Sequence, residues 1–416
     1  MLWVKCRANP RKPQATNNLA GRLARAFLSG FLATGVELCI IDRESLQKAV
    51  KLQELFKNPS EWLRGDGGNN RVVICCRVRL ARNVTGFAFP GWARKTERER
   101  LLEHVLPVVA SHSEMKDPAI CDTMDHFSAL EKQVLVEEHL VSRELAGRNT
   151  GSGLVVNRPR SVSIMINEED HLRLQAFKAG LQLQAAWELA DRLDSDLDEK
   201  LEFAFSSHLG YLTACPTNVG TGLRASAMLH LPGLVLSDQI GQIVKAANRI
   251  GLAVRGLYGE GTEALGNLFQ LSNQMTLGES EEEILGRLDK VIRQIVEHEE
   301  NARQKLVQER PRYIADQVSR AYAILTHAYT LSSKEALNLL SILRLGVDLG
   351  IFPENGRQLI DECFIQTQPA HLQVIYAQRL NAEERDALRA DLLRNRLAGF
   401  PPPDTTKLQA GFSFEC

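Results

Sequence analysis

The stretch Ser161–Phe177, SVSIMINEEDHLRLQAF, decides the fold. Ser161 to Ile166 is an apolar run that predicts a strand, and Asn167-Glu168-Glu169-Asp170 is a polar turn. His171 to Phe177 then returns as a second strand, with Arg173 on the face opposite Leu172 and Leu174. A strand, a short turn and a returning strand call for antiparallel pairing.

The same grammar extends outward. Val72 to Leu80 predicts a strand whose second half alternates, placing Arg77 and Arg79 on one face. Ser45–Leu63 has the spacing of a short amphipathic helix, and Arg64–Asn70 is a loop. Helical periods follow at Thr96–His112, Ser128–Leu140 and Gln182–Arg192. Tyr211–Cys215 predicts a strand, and Arg224–Leu236 and Asp238–Ile250 predict helices. Leu252–Leu257 and Leu268–Ser272 predict strands around a polar loop. The expectation is an α+β fold, a mainly antiparallel sheet flanked by helices.

Past Glu281 the pattern changes. Glu281–Arg310 is a long charged helix broken by Pro311, and Ala315–Thr330, Ser333–Leu345, Gly356–Phe364 and Ala382–Leu397 are helical in period. This predicts a C-terminal all-helical domain ending in the loose Pro401-Pro402-Pro403 tail.

With 416 residues the chain is long enough for two domains, and 50 basic against 51 acidic residues give no electrostatic reason to expect nucleic acid or an anionic membrane as partner. Eight scattered cysteines without a C-x-x-C pair suggest neither a zinc site nor a disulfide framework, which fits a reducing cytoplasm. Ala26–Ile41, the longest apolar run, is interrupted by Glu37. The first 36 residues carry Lys5, Arg7, Arg11, Lys12, Arg22 and Arg25 and no acid. No small-residue cleavage site follows, so residues 1–44 are expected to be a flexible, dispensable extension rather than a targeting leader.

Three polar constellations suggest chemistry. In Tyr211–Leu229, YLTACPTNVGTGLRASAML, Cys215 stands beside a proline, a small-residue loop follows, and Arg224 is expected to open a helix whose N-terminus and loop N–H groups face a phosphate. Arg77, Arg79, Arg173, Arg224 and Arg255, each beside a turn or Gly-rich loop, suggest convergence on an anion such as a triphosphate with Mg²⁺. Glu168, Glu169 and Asp170 in one turn, and Glu260 and Glu263 in another, suit a planar cation gripped by bidentate hydrogen bonds, although a solvated acidic turn reads the same way. No G-x-x-x-x-G-K-[ST] loop and no H-R-D set is present. Arginines for phosphate beside carboxylates for a cation are what a guanidino phosphotransferase needs.

The chain resembles the ATP:guanido phosphotransferase family, and within it the bacterial protein arginine kinases of the McsB type. The matching stretches are Cys76–Asn83, Val134–Leu140, Asn167–Arg173, Tyr211–Ser226, Arg255–Glu260, Arg344–Gly350 and Arg385–Ala390, which run in the family's order from about Leu46 onward. The resemblance implies a catalytic domain over 45–305 and a helical phosphoarginine-binding or dimerisation domain over 306–416. It implies nucleotide contacts from Cys75, Cys76, Arg77, Val78 and Arg79, from His139 beside the adenine, and from Arg173. Further contacts would come from Arg224, Ala225, Ser226, Ala227 and Met228, and from Arg255, Gly256, Leu257, Tyr258, Gly259 and Glu260. Glu169 would bind the guanidinium and act as a base, Glu260 and Glu263 compete for a second carboxylate with Glu260 favoured, and Cys215 would be the active-site thiolate. Neighbouring arginines and loop dipoles favour a thiolate on general grounds.

The implied activity is transfer of the γ-phosphoryl of MgATP to arginine side chains in proteins. Alternatives are a kinase for free arginine or another small guanidine, and a weakly catalytic phosphoarginine-binding adaptor. Arg385, Asp386, Arg389 and Ala390 match the family's allosteric phosphoarginine pocket, and Arg385 and Arg389 share a helix face at i,i+4. The implied partners are protein substrates bearing arginine, phosphoarginine, and a second copy in a homodimer. Two departures stand out: Cys75-Cys76 where the family has serines, and Gln133 where protein arginine kinases often carry arginine.

Overall fold

Two central strands carry the site, and both are framed by neighbours on either side. The structure is a computed structural model that describes residues 59–256 and 264–406. Its strands are β1 (Val73–Arg82), β2 (Ile120–Thr123), β3 (Gly153–Val156), β4 (Val162–Ile166), β5 (Leu172–Ala179), β6 (Phe205–Ser206), β7 (Gly210–Tyr211), β8 (Leu223–His230), β9 (Leu252–Gly256) and β10 (Leu268–Asn273). Eight of them form one sheet in the order β2-β3-β4-β5-β1-β8-β10-β9, and every pairing is antiparallel. β6 and β7 make a separate two-stranded hairpin.

The helices are α1 (Lys95–Ala110), α2 (Ala129–Glu137), α3 (Arg143–Ala146), α4 (Leu183–Leu201), α5 (Pro232–Leu236), α6 (Ile240–Arg249), α7 (Glu281–Glu309), α8 (Pro311–His327), α9 (Ser333–Asp348), α10 (Gly356–Gln366), α11 (Pro369–Ile375) and α12 (Ala382–Arg396). α2, α7 and α12 start with complete capping boxes, Ser128/Glu131, Ser280/Glu283 and Asn381/Glu384, each satisfying two otherwise orphaned N–H groups.

Alternation sorts the sheet into two faces. Cys76, Val78 and Leu80 of β1, Leu172, Leu174 and Ala176 of β5, and Leu223, Ala225, Ala227 and Leu229 of β8 share one buried core with α1, α4 and α7. On the other face Ile74, Cys75, Phe177, Met228 and Leu268 join a second core built mainly from α8, α9, α10 and α12. The helical region therefore packs directly on one end of the sheet's second face. It leaves the rest of that face to polar residues.

Two expectations need correction. Arg224 does not open a helix: Arg224–His230 belongs to β8, hydrogen-bonded to β1 and β10. Alanines at 225 and 227 give the segment helical propensity, but sheet pairing on both edges overrides it. The predicted strand Tyr211–Cys215 shortens to Gly210–Tyr211, because the Thr213 hydroxyl donates to the Cys215 carbonyl at 2.8 Å and Pro216 begins a 3₁₀ turn. α11 escapes notice in the sequence because it has only seven residues. The helix expected over Ser45–Leu63 lies mostly outside the described residues, as does the 1–44 extension; Glu61–Leu63 forms a 3₁₀ turn.

Candidate active site

β1, β5, β8 and β9 deliver the arginines to one place. Arg79 stands directly opposite Arg224 across the β1–β8 pair and opposite Gln175 across β1–β5. Arg77 pairs with Phe177 and Ser226, and Arg255 with Gln270. Like charges facing each other across a sheet are unfavourable. The cluster is mutually felt: burial, then Arg77, Arg224 and Arg173, press the Arg79 guanidinium well below its ordinary range. Burial lowers Arg77 to about 10 with help from Arg224 and Arg173, and burial, Arg255 and Arg173 lower Arg224.

Little within the described residues compensates this charge. Arg77 donates to the neutral Gln270 Oε1 at 3.3 Å, and the Nε atoms of Arg79 and Arg224 are buried without an acceptor. No described carboxylate forms an ion pair with Arg77, Arg79, Arg224 or Arg255, whereas Arg173 meets Glu168 at 2.7 Å and Glu169 at 3.0 Å. Converging, mostly half-buried cations with unused donors make a receptor for a polyanion.

Beside the arginines lies a cleft lined by Trp62, Cys75, Arg77, His139, Phe177, Ser226, Met228 and Gln270. Trp62 and His139 face each other with ring centroids 5.6 Å apart, and the Arg77 guanidinium lies 5.8 Å from the Phe177 ring. Burial and Arg77 hold His139 down to about 3, so its ring is neutral. An aromatic slot opening onto cations suits a base joined to phosphates.

The carboxylate turn is a hub before it is a reagent. Asp170 is fully buried and accepts from Asn83 Nδ2 at 2.7 Å and from the Ala214 N–H at 2.6 Å. It thereby ties the turn to the loop carrying Cys215. The Asn167 amide donates to the carbonyls of Arg98 and Gly151, and the His171 N–H to Asn83 Oδ1. With these neighbours fixed, Glu169 is left with its side chain 44% exposed at the mouth of the arginine cluster. Burial raises Glu168, with Arg173 opposing the shift.

The small-residue loop spends amides on backbone carbonyls of neighbouring segments. Gly220 N–H donates to Tyr211 O at 3.3 Å and Thr221 N–H to Thr276 O at 3.0 Å. Gly220 has φ +108, and a Cβ there would fall 2.3 Å from Thr276 O, so glycine is required. Arg82 locks the far end, bound to Asp194 at 2.7 Å and lying 3.4 Å from the Tyr211 ring. The expectation that a helix end and loop amides hold phosphate is therefore replaced by one in which arginine side chains do so. Cys215 is half-buried, with Sγ 3.0 Å from Thr217 Oγ1.

Several residues expected to contact a nucleotide have side chains directed away from the cleft. Cys76, Val78, Ala225 and Ala227 point into the helix-side core, so alternation removes their side chains from the site. Cys75, Ser226 and Met228 line the cleft. Burial pushes Cys76 up to about 12 and Cys75 further still, so both are neutral thiols. Gly256 ends β9, while Leu257, Tyr258, Gly259, Glu260 and Glu263 lie outside the described residues. Trp62, Phe177 and Gln270 escaped the sequence reading as site residues, and Asp170, expected among the cation-binding carboxylates, is instead buried as a tie. Phe177 shares the two-residue period of Arg173 and Gln175, and Gln270 interrupts the apolar run Leu268–Leu271.

In α12, Arg389 is 1% exposed and donates to the carbonyls of Thr367 at 2.9 Å and Leu331 at 2.7 Å and to Asp386 at 2.5 Å. Ala390 is in the core. Arg389 is thus a structural strut rather than an open anion ligand, and Arg385, half-buried and donating to Leu380 O at 3.0 Å, is the accessible cation of the motif.

Fold and site together define an ATP-dependent phosphotransferase acting on a guanidino nitrogen. The family description "ATP:guanido phosphotransferase, C-terminal catalytic domain" matches residues 100–302, and "Protein-arginine kinase McsB C-terminal domain" matches residues 311–408. The protein-arginine kinase of Halothermothrix orenii is 46% identical over 349 residues, 84% of this chain and 99% of that one. That of Brevibacillus brevis is 46% identical over 83% of this chain and 97% of its own. Among solved structures, a lombricine kinase shares the fold with a TM-score of 0.50 at 24% identity, covering 62% of this chain and 79% of that one. The duplicated taurocyamine kinase from Schistosoma mansoni with transition state analog components matches with a TM-score of 0.50 at 26% identity, over 66% of this chain and 41% of that one. The chain belongs to the protein-arginine kinases, within the ATP:guanido phosphotransferase family. No described helix is long and apolar enough to cross a membrane.

Proposed function

We propose that the chain transfers the γ-phosphoryl group of MgATP to arginine side chains of protein substrates. The observation that carries this reading is the set of convergent arginines without carboxylate partners, bordered by an aromatic cleft and by Glu169 and Cys215. The purine would enter the Trp62–His139 cleft, and the phosphates would lie along Arg77, Arg79, Arg224 and Arg255. Magnesium enters as part of the substrate, bound through phosphate oxygens. Filling the cluster with a polyanion relieves the cross-strand repulsion, so the fold itself favours binding.

Glu169 would meet the substrate guanidinium beside the γ-phosphate, a role supported by the guanidinium it already accepts from Arg173 at 3.0 Å. In the transfer, one substrate guanidinium N–H loses its proton, the N–P bond forms, and the bond to the β-phosphate oxygen breaks, giving phosphoarginine, ADP and H⁺. Glu169 would orient the nitrogen and receive the proton, Cys215 would bear on the guanidinium's other edge, and the arginines would neutralise the migrating phosphoryl group. Glu260, or else Glu263, is kept as the second carboxylate. Residues 306–416 are proposed as the regulatory domain, with Arg385 as the accessible anion contact for phosphoarginine.

The test is an assay for acid-labile phosphoramidate on an unfolded arginine-containing protein and on free arginine. Label on the protein with little on the free amino acid supports the reading, and the opposite preference would replace it with a small-guanidine kinase.

A further inference from the structure

The wall of the nucleotide cleft is held from behind by a buried ion cluster. α2 runs into Glu137, Glu138 and His139. His139 has φ +60, a left-handed conformation that a non-glycine side chain occupies at a cost, so its neighbours must hold it. Glu137 accepts from the Ala370 N–H at 2.9 Å, the His371 N–H at 3.0 Å and His371 Nδ1 at 2.7 Å. It thus satisfies the first free N–H groups of α11, a helix of the C-terminal region. Glu138 accepts from His371 Nε2 at 3.3 Å, from Arg160 at 3.3 Å and from the Ser60 hydroxyl at 2.6 Å.

Both ring nitrogens of His371 therefore face carboxylates, which only accept when ionised, and the ring is an imidazolium with two donors. Ser60 precedes the turn that carries Trp62. Glu138 consequently grips both sides of the Trp62–His139 wall at once, one through Ser60 and the other as the residue adjoining His139.

We propose that His371, contributed by the helical region, is a positioning residue for the nucleotide: paired with Glu137 and Glu138, it fixes the Trp62–His139 wall against which the purine packs. The inference rests on the reading of that cleft as the nucleotide site. His371, Glu137, Glu138 and Arg160 are all buried, with exposures of 3, 7, 4 and 2%, so removing the cation strands two carboxylates opposite one arginine. Against the cost of burial, the hydrogen bonds and charges of Glu137 and Glu138 raise His371 to about 9. The same surroundings, with His371 and Arg160 opposing burial, lower Glu138 to about 2. His139 and Arg389 also lie within the electrostatic reach of this cluster. The His371 charge is fully present below its ordinary value of 6.5 and is lost as pH rises through about 9.

The experiment measures KM for ATP and kcat on an arginine-containing protein for wild type, His371→Gln, His371→Lys, Glu138→Gln and His139→Ala. His371→Gln and Glu138→Gln should each raise KM for ATP about tenfold while kcat changes by no more than about twofold, and His371→Lys should recover most of the loss. In wild type KM for ATP should climb as pH passes about 9, and that step should be missing in His371→Lys. Should His371→Gln fail to fold, the Glu138→Gln kinetics and the wild-type and His371→Lys pH profiles decide. A folded His371→Gln with unchanged KM, or identical pH profiles in wild type and His371→Lys, overturns the inference. If His139→Ala leaves KM for ATP unchanged, the cleft is not the nucleotide site, and the reading beneath the inference fails instead.

Discussion

Arginine is used in two opposite ways in this molecule. Where the helical region meets the sheet, Arg344 binds Asp361 at 2.7 Å, the Arg71 carbonyl at 2.8 Å, the Asn70 carbonyl at 2.9 Å and Asp348 at 3.2 Å, and its neighbour Arg303 binds Glu299 at 2.6 Å and Asp348 at 3.1 Å. On the sheet's open face, Arg79 and Arg224 oppose each other without an ion pair to a described acid, with only the more distant Glu168 acting on Arg79. Although burial lowers it, the charges of Asp361 and Asp348 raise Arg344 above its ordinary value, whereas burial and like neighbours depress Arg79. The first group has its partners within the chain and holds the two regions together. The second is left waiting for a partner from outside, which is the electrostatic signature of a binding site.

Three substitutions would break or sharpen that contrast. Arg344→Met should cost about 3–5 kcal/mol of stability by stranding Asp361 and Asp348, as read by chemical denaturation. Activity per folded molecule should be largely retained. Glu169→Gln should lower phosphotransfer roughly 100-fold or more while ATP affinity, measured by calorimetry, stays near wild type. An equal loss of both would move Glu169 to the phosphate side of the site. Cys215→Ser should lower kcat about tenfold, the weight of one charge-assisted contact, with no change in melting temperature. An unchanged rate would leave Cys215 a bystander of the loop.

Much of this site was legible in the sequence, because strand alternation is a strong signal. The period of two placed Arg77 and Arg79 together and set Arg173 against Leu172 and Leu174. The turn Asn167–Asp170 stood out, but its stiffness did not: Asp170 reaches Asn83 and Ala214, contacts that span 87 and 44 positions and leave no local trace. Arg224 was recognised while its helix was not there, since a central strand rich in alanine carries a helical composition. Assigning whole segments such as Ala225–Met228 to the nucleotide ignored the pleat, which sends alternate residues to the far core. Trp62 and His371 were silent for a third reason. Their meaning lies in a network joining four separate segments, and no periodicity encodes it.

The arginine face is held under an electrostatic strain that a polyanion would relieve. The most direct test of that strain is the melting temperature of wild type and of the Arg79→Ala, Arg224→Ala double variant, each with and without MgATP. The predicted result is a double variant that melts no lower than wild type in the absence of nucleotide, because repulsion has been removed, and that gains no stability when MgATP is added. A double variant that melts well below wild type and is still stabilised by MgATP as strongly would contradict the account.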